Sequence, residues 1–287
     1  MMELSTIIDK EKAKLDANNI WVSKLNLSSE ADVSRRAWEG IYNFTVEKLK
    51  EDRKDFDENK LQDNIRYTNE SGSFRSDTVY LEIGCGPAHV AEYLMKQYDC
   101  FFVGVDFNYP MLLSLDTYLK EKGYTKYILV HADILNMPII DGSVDYIYGG
   151  GVIEHMSDTP GILSELYRVL KEGGVAFNTV PAFNMWWLLR FYSNIPSFPI
   201  LKTLFEFIHI KLLKSKILER YYGYELSYTL GQLRDLHRRV GFRDIVQKPF
   251  AFHPSGKKLK NQMLRRLYYE ISSNPLTSPM YCVYGKK

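Results

Sequence analysis

Cysteine is scarce in this chain. The 287 residues hold three, Cys85, Cys100 and Cys282, with no zinc-ligand spacing and no even-numbered set. That excludes a disulfide-stapled scaffold and fits a reducing, cytoplasmic setting. Long apolar runs are missing as well. The greasiest stretch, Phe183 to Tyr192, is interrupted by Arg190 and falls short of the roughly 20 residues that cross a bilayer. The first residues, MMELSTIIDKEKAK, mix acids with lysines and do not read as a secretory signal. Net charge is small too, at +2, so the chain as a whole is not a polycation.

That near-neutral total conceals a division. Residues 1–181 hold 19 Lys and Arg against 29 Asp and Glu, whereas residues 182–287 hold 18 against 6. The basic C-terminal part has two readings of equal standing. One is a surface for something anionic, such as a membrane, an acidic substrate or nucleic acid; the other is an internal match to the acidic part. Core material is plentiful. Hydrophobic residues make up 45%, enough for one large α/β domain with a smaller cap.

Periodicity divides the chain further. Residues 3–17 and 29–52 carry helical patterning; in the second, Trp38, Ile41, Tyr42, Thr45, Val46 and Leu49 recur at spacings of three and four. Residues 53–77 are polar, end in Asn69-Glu70-Ser71-Gly72-Ser73, and read as a mobile linker. From Thr78 onward short apolar runs alternate with helical stretches, which predicts βαβ units and a mostly parallel sheet with helices on both faces. The alternation lapses over residues 182–228, which are packed with large side chains and include a helix-like run from Leu201 to Glu219. It resumes with a helix at 230–240, a strand around Ile245, a helix at 258–272 and a last strand at 280–284.

In an open parallel sheet, ligands bind beyond the C-terminal strand ends, where the strand order reverses. Four such ends carry suitable residues. Glu82-Ile83-Gly84-Cys85-Gly86 closes the first strand with a turn that lets a ligand approach the backbone. Asp106 ends the second, 24 residues beyond Glu82, and is placed to accept from two ribose hydroxyls. Ala132-Asp133-Ile134 follows the third, where Asp133 can accept from an exocyclic amine. Gly149-Gly150-Gly151 follows the fourth, where side chains would obstruct a ligand.

These motifs, in this order, resemble the class I S-adenosylmethionine-dependent methyltransferases, in particular the ubiquinone, menaquinone and small-molecule methylase group. Leu81 to Gly86 resembles the first family motif, and Val103-Gly104-Val105-Asp106 the second. Ala132-Asp133-Ile134 resembles the adenine-binding motif, and Val152-Ile153-Glu154-His155 the segment after strand four. Leu170 to Gly174 resembles the turn before strand five, and Tyr228 to Phe242 the helix before strand six.

The resemblance implies an α/β, Rossmann-like, doubly wound and mostly parallel seven-stranded sheet, with helical cap elements at the N-terminus and after strand five. It divides the chain into a helical cap and linker (1–77), the cofactor core (78–181), a helical cap insertion (182–228) and a C-terminal completion of the core (229–287). It implies S-adenosylmethionine as cofactor and S-adenosylhomocysteine as product. Glu82, Gly84, Cys85, Gly86, Asp106, Phe107, Ala132, Asp133, Ile134, Gly149 and Gly150 are the expected cofactor residues. The chief competitor, a nicotinamide-dependent dehydrogenase, requires a third glycine where His89 stands.

Methyl transfer is an in-line displacement with a neutral leaving group, so the protein chiefly aligns reactants and excludes water. A hydroxyl acceptor also needs a base. His155 is the expected candidate, and the competing reading is that it only closes the loop after strand four. Some quinone O-methylases in this group bind a divalent ion through Glu-x-x-Glu-His. Gly151 replaces the first glutamate here, so no metal is expected.

The acceptor falls to residues 1–60 and 182–228, with Trp38, Tyr42, Phe183, Trp186, Trp187 and Tyr192 as expected cap residues. A hydrophobic or aromatic small molecule suits such walls. A lipid or lipid-linked precursor is the alternative, because Lys202, Lys211, Lys214, Lys216 and Arg220 interleave with aliphatic residues as in an interfacial helix. The same residues suit a peripheral membrane contact through 182–220. Nucleic acid is disfavoured, since the Asn/Asp-Pro-Pro-Tyr/Phe signature is absent after strand four. A non-catalytic module that only binds the cofactor is the alternative of another class.

Overall fold

The apolar runs after residue 78 become the inner strands of one sheet. The computed structural model describes residues 4–25, 35–36, 38, 45–55, 58–156, 158–184, 226–250 and 261–287. Among these, the strands are β1 (Ala13–Leu15), β2 (Ile20–Ser23), β3 (Val79–Ile83), β4 (Phe101–Asp106), β5 (Tyr127–His131), β6 (Val144–Gly150), β7 (Leu170–Pro181), β8 (Arg243–Phe250) and β9 (Met280–Lys286). They lie in the order β1-β2-β5-β4-β3-β6-β7-β9-β8. The chain builds outward from β3 through β4 to β5, then returns to place β6 on the other side of β3. That reversal is the switch point at which open sheets hold ligands.

The helices are α1 (Val46–Asp55), α2 (Glu58–Ser71), α3 (His89–Tyr98), α4 (Tyr109–Glu121), α5 (Thr159–Val169), α6 (Leu230–Val240) and α7 (Gln262–Ser272). Strand alternation sorts the core into two layers. Leu81, Ile83, Val103, Val105 and Ile147 face α5 and α6, meeting Ile162, Leu166 and Leu233. Tyr80, Phe102 and Phe177 face the other way, toward Leu49 of α1, Leu94 of α3 and Met111 and Leu115 of α4. Every residue of β3 and β4 is buried, as expected of parallel strands covered on both sides. No described helix is long and apolar enough to cross a membrane.

The sheet has nine strands where seven were expected, and the surplus is N-terminal. Residues 3–17, expected as helix, instead form a short 3-10 turn (Leu4–Ile7) and β1. The cause is local. Asp16 Oδ1 accepts the Asn18 and Ile20 amides at 2.9 and 2.8 Å, and Asn19 adopts a φ of 64°. An Asx turn of this kind ends any helix and starts a hairpin. β2 then pairs in parallel with β5.

The linker expected over 53–77 is also mostly helix. Asp63, Asn64, Tyr67 and Thr68 of α2 are buried, at helical spacing but with one apolar side chain among them. A stripe of polar residues escapes a search for hydrophobic periodicity. Its partners lie far away in sequence: the Tyr148 hydroxyl donates to Asn64 Oδ1 at 2.7 Å, and Ser71 and Tyr146 hydroxyls pair at 2.6 Å.

Candidate active site

β3 runs into a turn in which Gly84, Gly86 and Ala88 all take left-handed backbone angles, with φ of 56°, 43° and 55°. At Gly84 a side chain would also collide with Val152, since an added Cβ would lie 2.8 Å from its Cγ2. Asp106, at the end of β4, fastens this turn. Its Oδ2 accepts the Gly86 amide at 2.9 Å and its Oδ1 accepts the Asn108 amide at 2.8 Å. Burial pushes its carboxyl above the usual range, and these amides pull it back. Asn108 in turn caps α4, accepting the Met111 amide at 3.0 Å, with Pro110 in the first turn as helix starts favour.

Between these strand ends lies an open cleft of about 780 Å³, counting the solvent at its mouth. Of the expected cofactor residues, Gly84, Gly86, Asp106, Phe107, Ile134 and Gly150 line it. Its remaining walls include Trp38, Met111, Val152, His155 and Met156. His155 is buried in a short 3-10 turn, and the Trp38 ring meets its imidazole edge-on with centroids 5.1 Å apart. Of the expected cap residues, Tyr42, Trp186, Trp187 and Tyr192 lie outside the described residues, as does the run 201–219. Phe183 is half-buried, and its amide donates to the Tyr228 carbonyl at 2.9 Å.

Five expected cofactor residues do not line the cleft. The Cys85 thiol is buried, lies 3.0 Å from where a Cβ on Gly104 would sit, and is pushed well up by burial. Ala132 is fully buried in the core. Asp133 is buried too, with Oδ1 accepting the Leu135 amide at 3.0 Å, and Ile134 forms the wall instead. Gly149 is the close-packed point of β6, where a Cβ would meet Asn178 Oδ1 at 2.5 Å.

Glu82 is the fifth, and its side chain does something the motif does not announce. Ala88 begins α3 without a side-chain cap. Glu82 lies beneath that uncapped start: the Ala91 amide lowers its carboxyl's pKa, and its Oε2 accepts the Tyr80 hydroxyl at 3.0 Å. Burial is the largest influence on its carboxyl, which is pushed up to about 8 despite those bonds.

Sequence reasoning missed Arg53. From α1 its Nε donates to Glu92 at 2.6 Å, its Nη2 donates to the Pro87 carbonyl at 2.5 Å, and it stacks over the Tyr118 ring at 4.0 Å. It therefore clamps the glycine turn to α1 and α4. Nothing local marks an arginine inside Glu-Asp-Arg-Lys-Asp as anything but a solvated surface residue. Arg53→Met is expected to destabilise the fold by about 1–3 kcal/mol, the usual cost of unpairing buried polar groups. A urea midpoint equal to that of the wild type would refute this role. His237 proves to be a core residue: Nδ1 lies 2.8 Å from the Leu233 carbonyl, and burial pushes the imidazole down to about 4.

Comparison with known proteins agrees with this geometry. Residues 81–178 match the family described as "Methyltransferase domain". The chain is 26% identical over 189 residues to demethylmenaquinone methyltransferase of Anoxybacillus flavithermus, covering 61% of this chain and 74% of that one. A sterol 24-C-methyltransferase of Schizosaccharomyces pombe is 30% identical over 96 residues, which are 33% of this chain and 25% of the relative. In fold, the chain is similar to Haemonchus contortus phosphoethanolamine N-methyltransferase 2, solved in complex with phosphomonomethylethanolamine and S-adenosylhomocysteine. The TM-score is 0.62 at 17% identity, over 91% of this chain and 61% of that one. Residues 81–178 are thus a methyltransferase domain by family match, carried on a fold whose switch-point cleft and glycine turn are similar to those of class I S-adenosylmethionine-dependent methyltransferases.

Proposed function

We propose that this methyltransferase acts on an uncharged hydrophobic or aromatic small molecule. The observation that carries the reading is the chemistry of the walls. Among the described lining residues Asp106 and His155 are the ionisable ones, and no Lys or Arg is present. An acceptor bearing a phosphate or carboxylate would ordinarily meet a cation there. Trp38, Met111, Val152 and Met156 offer apolar and aromatic contact instead. Demethylmenaquinone and sterol methyltransferases among the relatives fit an acceptor of this kind.

The residues present fit the cofactor. The left-handed turn at Gly84–Gly86 leaves room for a ligand against the backbone, and Asp106 keeps lone pairs free for ribose hydroxyls after serving two amides. Phe107 and Ile134 provide apolar surfaces for the adenine ring. S-adenosylmethionine supplies, when bound, a sulfonium methyl open to in-line attack. The chain's own part is to hold the acceptor in line and keep water out. Where the acceptor must shed a proton, His155 is the candidate base in the described lining, imidazole being the side-chain type suited to proton transfer near neutral pH.

Incubation with methyl-labelled cofactor and either demethylated naphthoquinol or phosphoethanolamine tests the reading. Label should pass to the quinol, and transfer to phosphoethanolamine alone would sink it. His155→Gln should then lower kcat by about a hundredfold or more, the span of general-base catalysis, with S-adenosylhomocysteine affinity unchanged. Equal kcat for wild type and variant would leave His155 a loop residue.

A further inference from the structure

Helix α7 is packed with the wrong side out. Its aliphatic residues face solvent: Met263, Leu264, Leu267 and Ile271 are 80%, 49%, 50% and 46% exposed, and Leu276 beyond its end is 62% exposed. On a helix the four span an arc of about 100°, one continuous stripe. The inward side is polar and aromatic instead. Ser272 is buried, Arg265, Tyr268 and Tyr269 are half-buried, and Arg66 Nη1 of α2 donates to the Tyr269 hydroxyl at 2.7 Å. Packing among the described residues does not account for the aliphatic face. A stripe of this size, left outward, marks a contact with something else.

Charge says what that is. From Ile245 to Tyr269 the sequence contains Lys248, Lys257, Lys258, Lys260, Arg265 and Arg266 and no acid. Arg266 flanks the stripe with its side chain 83% exposed, and it pairs with Glu270 one turn on at 3.1 Å. A second copy of the chain would set these bases against themselves. An apolar stripe within a cation-rich stretch of sequence is instead what an interfacial helix presents to an anionic bilayer.

The position is apt as well. α7 links β8 to β9, and Met280 at the start of β9 pairs with Pro181 and Phe250, the last residues of β7 and β8. β7 runs parallel to β6, whose last residue, Gly150, lines the cleft. The stripe therefore hangs from the end of the sheet at which the cleft opens.

We infer that α7 docks this protein on anionic membrane surfaces through Met263, Leu264, Leu267 and Ile271. This goes beyond the acceptor reading and is measured without acceptor or cofactor, so either can fail alone. The test is co-sedimentation of the full chain with phosphatidylcholine vesicles, with and without phosphatidylglycerol. Wild type should pellet with the anionic vesicles. Leu264→Asp combined with Leu267→Asp should weaken that partitioning about tenfold or more. Leu15→Asp, at an equally exposed leucine on β1, should leave it unchanged. Lys258→Gln with Arg266→Gln should weaken it and make it less sensitive to salt. Both leucines of the pair are already half exposed, so thermal melting should match wild type and report an intact fold. No pelleting of wild type, equal pelleting of the Asp pair, or equal affinity for uncharged vesicles would each overturn the inference. So would a lipid-free molar mass that halves in the Asp pair, since a second copy would then be what covers the stripe.

Discussion

Asp106→Ala is expected to weaken S-adenosylhomocysteine binding by at least about a hundredfold, the worth of two hydrogen bonds to a charged group at roughly 1.5 kcal/mol each. It should also loosen the protein before any ligand is added. The Gly86 and Asn108 amides both end on this carboxylate, and leaving them unpaired costs about 1–3 kcal/mol apiece. Asp106→Asn keeps one acceptor oxygen and should fall between the two in both measurements. Calorimetric titration reads the affinity and urea denaturation the stability. An Ala variant that binds within a factor of about two of wild type, well inside 1 kcal/mol, would remove Asp106 from the cofactor site.

The second large effect is on pH dependence. Glu82 holds its proton up to about pH 8 in the fold, against an ordinary value of 4.5. Between those limits the unfolded chain has released a proton that the native state keeps, so stability falls as pH rises through the window. The loss should total on the order of 2–4 kcal/mol by pH 8, at up to about 1.4 kcal/mol per pH unit. Asp106 and Asp133 are also raised by burial and add slope of the same sign. His237 works in the opposite direction. Its imidazole is held down at about 4, so the unfolded chain gains a proton first as pH drops below 6.5, and stability falls on that side. Glu82→Gln should flatten the fall above pH 6.5 and, because the two windows overlap between 4.5 and 6.5, leave the opposite slope of His237 there without its offset. Urea midpoints across the range check this, and parallel curves for the two proteins would show that Glu82 is ionised in the fold.

The strand ends were legible because their signals are local. A glycine turn after an apolar run, an acid ending the next strand and glycines ending β6 each stand within a residue or two of the strand they mark, and together they locate the cleft. What the same residues do with their side chains was less visible. Glu82 accepts the Tyr80 hydroxyl beneath the start of α3, and Cys85 fills space over Gly104. Both roles depend on which face of β3 and the turn points inward, which a motif does not encode. α2 was misread because its buried side is polar, and Arg53 was missed because its partners, Pro87, Glu92 and Tyr118, are 34 or more residues away. The N-terminal hairpin escaped because β2 is specified by an unfilled edge on β5 more than by its own four residues.

That hairpin also bears on how the molecule behaves in company. Without it, β5 would present a bare row of backbone donors and acceptors, a template on which other chains could grow. β1 and β2 move the margin outward to a three-residue strand carrying Lys14. The opposite margin, β8, is broken by a register shift between Arg243 and Val246 and bears Lys248 and Pro249, both poor templates for a visiting strand. The hairpin turn is tethered through Asp16 and Asn18 to the Tyr109 hydroxyl, one residue beyond Asn108 on the cleft wall. Trimming the first 23 residues would therefore do two kinds of harm at once: a sticky sheet margin, and a slack hinge beside the ligand.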